Sequence, residues 1–186
     1  SRLCDAETTR VAGVYGGKFS GRTGDDFLVV STDKVVSGDS YHGHVLYSQF
    51  GTVNFKSDGS YGGVCRTVPD YLVTGNTLLI ANPNRPVVSY VKGTKTKIKL
   101  EEYIPSCSYL SFYKSRLFCG NLRDNSDQIL YSIAGNVRAF RHSADGTYSS
   151  GQKPNPDFVP SWNNESASFS ISDRSDQIVT GLSDGF

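Results

Sequence analysis

The sequence predicts an all-β fold, and three observations carry the prediction. Short runs of β-branched and aromatic residues recur along the 186 residues, 11 Tyr and 10 Phe supply much of the apolar volume, and 19 glycines with many Ser, Asp and Asn punctuate the runs. Such composition favours strands joined by turns. The third observation is a repeat: Ser126-Asp127-Gln128-Ile129 returns as Ser175-Asp176-Gln177-Ile178, about 50 residues on, each copy opening a β-type run. Spacings of roughly 40 to 50 residues suit four-stranded propeller blades. The expected architecture is an irregular β-propeller-like array of short antiparallel sheets, incomplete at both ends. It forms one segment over 1–186, with approximate blade units 11–60, 61–105, 106–150 and 151–186.

Taken in order, Asp26 to Ser31 is an apolar run preceded by Gly24-Asp25. Lys34 to Val36 and Val45 to Tyr47 follow across the polar turn Ser37 to Ser40, and then Thr52 to Phe55 and Gly63 to Cys65 flank the turn at Ser57-Asp58-Gly59. Tyr71 to Val73 and Thr77 to Ile80 enclose Gly75-Asn76, the signature of a hairpin turn with positive φ angles. Val87 to Val91 and Thr96 to Leu100 are joined through Lys92-Gly93-Thr94. Helical potential is confined to Lys99 to Ile104, a turn or two ended by Pro105. From Ser143 to Pro160, Gly, Ser, Pro and Asn predict a long surface excursion. Leu78 to Asn82 and Leu117 to Asn121 share a strand pattern ending in a small residue and Asn, and Phe55 to Tyr61 resembles Phe140 to Tyr148.

A net charge of +1 gives no bulk attraction to nucleic acid or to a membrane surface. The apolar runs are too short to span a bilayer, and none follows a basic start as a secretory signal would. Methionine is absent even at position 1, which predicts a trimmed chain. Cys4, Cys65, Cys107 and Cys119 form no C-x-x-C pair, so reduced, structural thiols are expected, with Cys119 in the core.

Few motifs carry chemistry. Gly16 to Thr23 nearly spells a phosphate loop, but Arg22 stands where lysine belongs and a strand follows instead of a helix, which leaves a flexible loop. His42 and His44, near Asp39, would share one strand face, yet they lack the ligand count of a closed metal site and read as a solvated turn. Asp124 to Asp127 lacks the glycine and distal glutamate of a calcium loop and reads as a capped turn. Lys95, Lys97 and Lys99 alternate along a strand to make a basic face. A nucleic-acid groove would need more cations and interleaved aromatics, so edge protection is the preferred role. No nucleophile elbow, Cys–His pair, carboxylate pair or cofactor motif is present, and no catalysis is expected. Tyr148, at the end of a turn that resembles the Asp-box of sialidase-type propellers, and Trp162 are candidate partner-binding residues with the three lysines.

The run Tyr113 to Asn121, followed by Asp127 to Ser132, resembles the tail nozzle, or tail tubular, proteins of short-tailed bacteriophages. In that family an Arg-Leu-Phe-x-Gly strand precedes an Asp-rich turn and a strand ending on Tyr and Ser. A long polar excursion then reaches Asp-Phe, matched by Asp157-Phe158, with Ser168 to Ile171 and Asp176 to Leu182 completing the pattern. The likeness covers 113–186 moderately and 24–91 weakly, and this chain is much shorter than the family's members. It implies a virion structural protein, assembled in the host cytoplasm. Copies would form a ring around the DNA exit channel and pack on other virion proteins, with DNA passing and no sequence-specific binding. Partner contacts are expected at 92–99 and 143–162. The competing expectation is a carbohydrate-binding or polysaccharide-degrading propeller at the tail, built around Trp162 or Tyr148; a viral or cell-surface β-sandwich module is a third.

Overall fold

The computed structural model describes residues 11–19, 26–32, 41–48, 51–56, 68–82, 86–92, 99–101, 103–123, 126–140, 167–170 and 181–182, with backbone alone for 32, 41–43, 45, 51–56, 99–100 and 167–170. The described part is all-β and contains no helix: twelve strands form three four-stranded antiparallel sheets. The first holds β1 (Val11–Lys18), β2 (Asp26–Thr32), β3 (Tyr41–Ser48) and β4 (Gly51–Lys56), side by side in chain order. The second holds β5 (Asp70–Thr74), β6 (Thr77–Ala81), β7 (Val88–Val91) and β8 (Lys99–Leu100), and the third β9 (Cys107–Tyr113), β10 (Arg116–Leu122), β11 (Gln128–Tyr131) and β12 (Ala167–Ser170), each also in chain order. Ala167 to Ser170 pairs with β11, so the third sheet crosses the expected division at 150/151.

Two compact units result: Ser1–Ile80 with Val88–Lys99, and Ala81–Val87 with Leu100–Phe186. In the first, Val29, Leu46, Leu78, Leu79 and Val88 are buried, and aromatic rings line the same interior. Tyr15 stacks on Tyr71 at 5.1 Å between centroids, and Phe19 lies 4.4 Å from Phe27 and 6.1 Å from Tyr90. Aromatic pairs of this kind add about 0.5–1.5 kcal/mol beyond their buried area. In the second unit, Ile104, Leu110, Leu117, Cys119, Leu122, Ala139 and Phe140 are buried.

Several expectations need correction. Gly16-Gly17-Lys18 ends strand β1 and is no loop. Gly17 pairs with Phe27, and an added Cβ would stand 2.6 Å from the Phe27 ring, so the glycine makes room for an aromatic side chain and no phosphate argument is needed. Among the described residues there is no helical turn at Lys99 to Ile104: Lys99–Leu100 is a strand, and Glu101 N donates to Val87 O at 2.9 Å. Tertiary pairing outweighs a weak local propensity. At the β5–β6 hairpin only Gly75 has positive φ, 59°, while Asn76 keeps an ordinary backbone and its O accepts from Lys92 N. Lys34 to Val36 and Gly63 to Cys65 lie outside the described residues.

The β9–β10 hairpin turns through Lys114 and Ser115 at φ 46° and 61°, although neither is Gly or Asn. Two consecutive left-handed residues are what a tight two-residue hairpin demands. Because each costs about 1–2 kcal/mol for an ordinary L-residue, Ser115→Gly should stabilise the chain by about 1 kcal/mol in chemical denaturation. An unchanged or lower midpoint would contradict the strain.

Candidate functional site

Alternation along β2 and β3 places Ser31 and His44 opposite each other on the inner face of the first sheet, beside the buried Val29 and Leu46. The Ser31 Oγ lies 2.7 Å from His44 Nδ1 and 2.6 Å from the Tyr71 hydroxyl, which reaches in from β5. One hydroxyl thus links three strands of two sheets. It carries a single proton, so it donates to at most one of these neighbours and accepts from at least one. Gly13 gives this cluster its room, because a Cβ there would sit 2.8 Å from the Tyr71 hydroxyl. His44 is only 1% exposed and stands in a strand, which corrects the expected solvated turn at His42 to His44.

A Ser–His contact is also the first half of a nucleophile–base pair. Here both groups are buried, and the arrangement serves to satisfy polar atoms inside an apolar interior. Ser31→Ala should lower stability by about 1–3 kcal/mol, the cost of breaking buried polar contacts. An unaltered thermal midpoint would refute that role.

The second unit has its own buried polar contact. Glu101 is 1% exposed, and Arg138 grips it with Nη2 at 2.6 Å and Nε at 2.8 Å, a two-point contact that fits the planar guanidinium. The Glu101 hydrogen bond raises the Arg138 pKa further, against the opposing effect of burial. Arg138 is held by a loop that folds on itself: Arg138 N donates to Asn136 Oδ1, and Ile133 N donates to Ala139 O. Ser132 anchors the start of that loop, with its Oγ accepting from Leu117 N at 2.9 Å. Sequence reading missed Ser31, Tyr71, Glu101 and Arg138, because no short motif joins residues that are far apart in the chain and meet only once it folds.

Cys107 and Cys119 are free, buried thiols on paired strands, as the expected structural role requires. Burial above all, reinforced by the Cys107 hydrogen bond and charge, pushes the Cys119 thiol up. Cys4 and Cys65 lie outside the described residues.

The other face of the third sheet is partly exposed at its β9–β10 hairpin end, while Ser111 and Ile129 on the same face are buried. Register puts Arg116 and Phe118 of β10 on the same face as Tyr113 of β9 and Tyr131 of β11. Phe118 and Tyr131 are ring neighbours at 5.5 Å, the Arg116 guanidinium lies 5.5 Å over Tyr131, and Lys114 Nζ lies 5.4 Å over Tyr113. The opposite face, with Leu110, Leu117 and Cys119, is buried.

Of the partner residues expected from sequence, Lys95, Lys97, Tyr148 and Trp162 lie outside the described residues, and Lys99 is described by its backbone alone, in β8. Asp124 and Asn125 also fall outside, whereas Ser126-Asp127 forms a turn before β11. Among the described residues, no three His, Cys, Asp or Glu side chains cluster as a metal site would need, and no helix is long and apolar enough to cross a membrane. No family model, no curated protein and no solved structure matches the chain.

Proposed function

We propose that this chain is a structural component of a virion, a run of blades in an irregular β-propeller that packs with copies of itself and with other virion proteins around a DNA channel. One observation carries the reading: three successive four-stranded antiparallel sheets, each laid out in strict chain order. Chain-order meanders of four strands are the unit from which propellers are built by repetition. The self-similar runs at Leu78 to Asn82 and Leu117 to Asn121 support it, because they fall on β6 and β10, each the second strand of its sheet. The tail-protein resemblance supplies the virion setting, and its motif runs through β10 and β11. In that role residues 92–99 and 143–162 meet neighbouring subunits. The working energy is apolar burial, at about 25 cal/mol per Å².

The test is particle assembly. Deleting 143–162 should abolish infectious particles while the purified variant keeps its β-sheet circular dichroism. Electron microscopy should place an epitope-tagged chain in a ring at the tail. Normal particles from the deletion, or a strictly monomeric chain absent from particles, would overturn the proposal.

A further inference from the structure

The basic face expected at Lys95, Lys97 and Lys99 lacks the interleaved aromatics that single-stranded nucleic acid needs, but the third sheet has them elsewhere. We propose that the solvent face at the β9–β10 hairpin end of this sheet binds single-stranded nucleic acid, with Lys114 and Arg116 against phosphates and Tyr113, Phe118 and Tyr131 against bases. Phe118 and Tyr131 sit at cross-strand positions on β10 and β11, the two central strands of the sheet. Outward aromatics on central strands of a four-stranded sheet form a platform on which successive bases stack. Tyr113, 46% exposed, and Lys114 lie exposed at its edge, and Arg116, Phe118 and Tyr131 are half-buried.

Charge selects the occupant. Both cations stand at the hairpin end, over aromatic rings. Of the carboxylates described in this unit, Glu101 is engaged by Arg138, and Asp127 precedes β11 at the sheet's other end. Lys114 and Arg116 place two positive charges at the hairpin end, and Arg116 also donates from Nη1 to Ser132 O at 2.8 Å. A single strand offers one anion and one flat π face per residue, which matches cations interleaved with rings. A duplex hides its base faces, and an acidic peptide has no repeating planar group. The inference stands whether or not the chain belongs to a virion.

Fluorescence anisotropy with fluorescein-labelled oligothymidylate, about 20 nucleotides long, tests it on the full chain at about 50 and 200 mM salt. Saturable, salt-sensitive binding is expected. Tyr113→Ala should weaken it about tenfold, and Lys114→Gln should lower the slope of log K against log salt by about 0.7. Both residues lie at the surface, so circular dichroism should be unchanged. Tyr131→Leu, with its fold checked the same way, should also weaken binding. Absence of binding, affinity equal to wild type in both Tyr113→Ala and Lys114→Gln, or tighter binding of heparin or duplex DNA than of oligothymidylate would overturn the proposal.

Discussion

Arg138→Met should cost about 3 kcal/mol of folding stability, read as a lowered urea midpoint at unchanged slope. The substitution keeps a long side chain but removes the guanidinium from a carboxylate that stays out of water, since Glu101 is 1% exposed. Breaking one side of a buried pair typically costs about 3–5 kcal/mol. The lower end applies because the Arg138 side chain is itself 34% exposed, so water screens part of the attraction. The double variant Glu101→Met with Arg138→Met should recover much of the loss, because two apolar side chains leave no stranded charge. If Arg138→Met unfolds within about 1 kcal/mol of wild type, the range of exposed ion pairs, the contact does not hold this loop.

Phe140→Ala is the second large effect, expected to cost about 3–5 kcal/mol by lost burial plus the cavity left behind. Phe140 is fully buried and follows Ala139, also fully buried, so the segment ends in apolar anchors just beyond Arg138. Phe140→Leu should recover most of the stability, since it refills much of the volume. Denaturant unfolding followed by circular dichroism decides both. A loss under about 1 kcal/mol for Phe140→Ala would mean the site collapses freely, contrary to a close-packed interior.

Strands with β-branched or aromatic runs were legible in the sequence. Phe27 to Ser31, Val45 to Tyr47, Thr52 to Phe55, Tyr71 to Val73 and Thr77 to Ile80 all fall within strands. Two strands were not. Glycines at 13, 16 and 17 disguise β1 as a loop, because its apolar cover is lent by Phe27 from the next strand. Serines at 108 and 111 disguise β9, yet both are buried. The polar clusters were illegible for a related reason. Ser31, His44 and Tyr71 are far apart in sequence and meet only once sheet register is set. The aromatic face of the third sheet combines alternation within one strand, which a sequence displays, with pairing between strands, which it does not.

The order of strands within each sheet also bears on how the chain reaches its native state. Neighbours in space are mostly neighbours in sequence, so most strand pairings close over short connections. The third sheet departs from this at one seam. Ser48 passes to Gly51 almost at once to join β3 and β4, whereas β12 reaches β11 only after the long stretch from Tyr131 to Ala167. Until that strand docks, the outer edge of β11 is open to any other extended segment of the same or another chain. Exchange between molecules would therefore use the same edge of β11 that β12 covers.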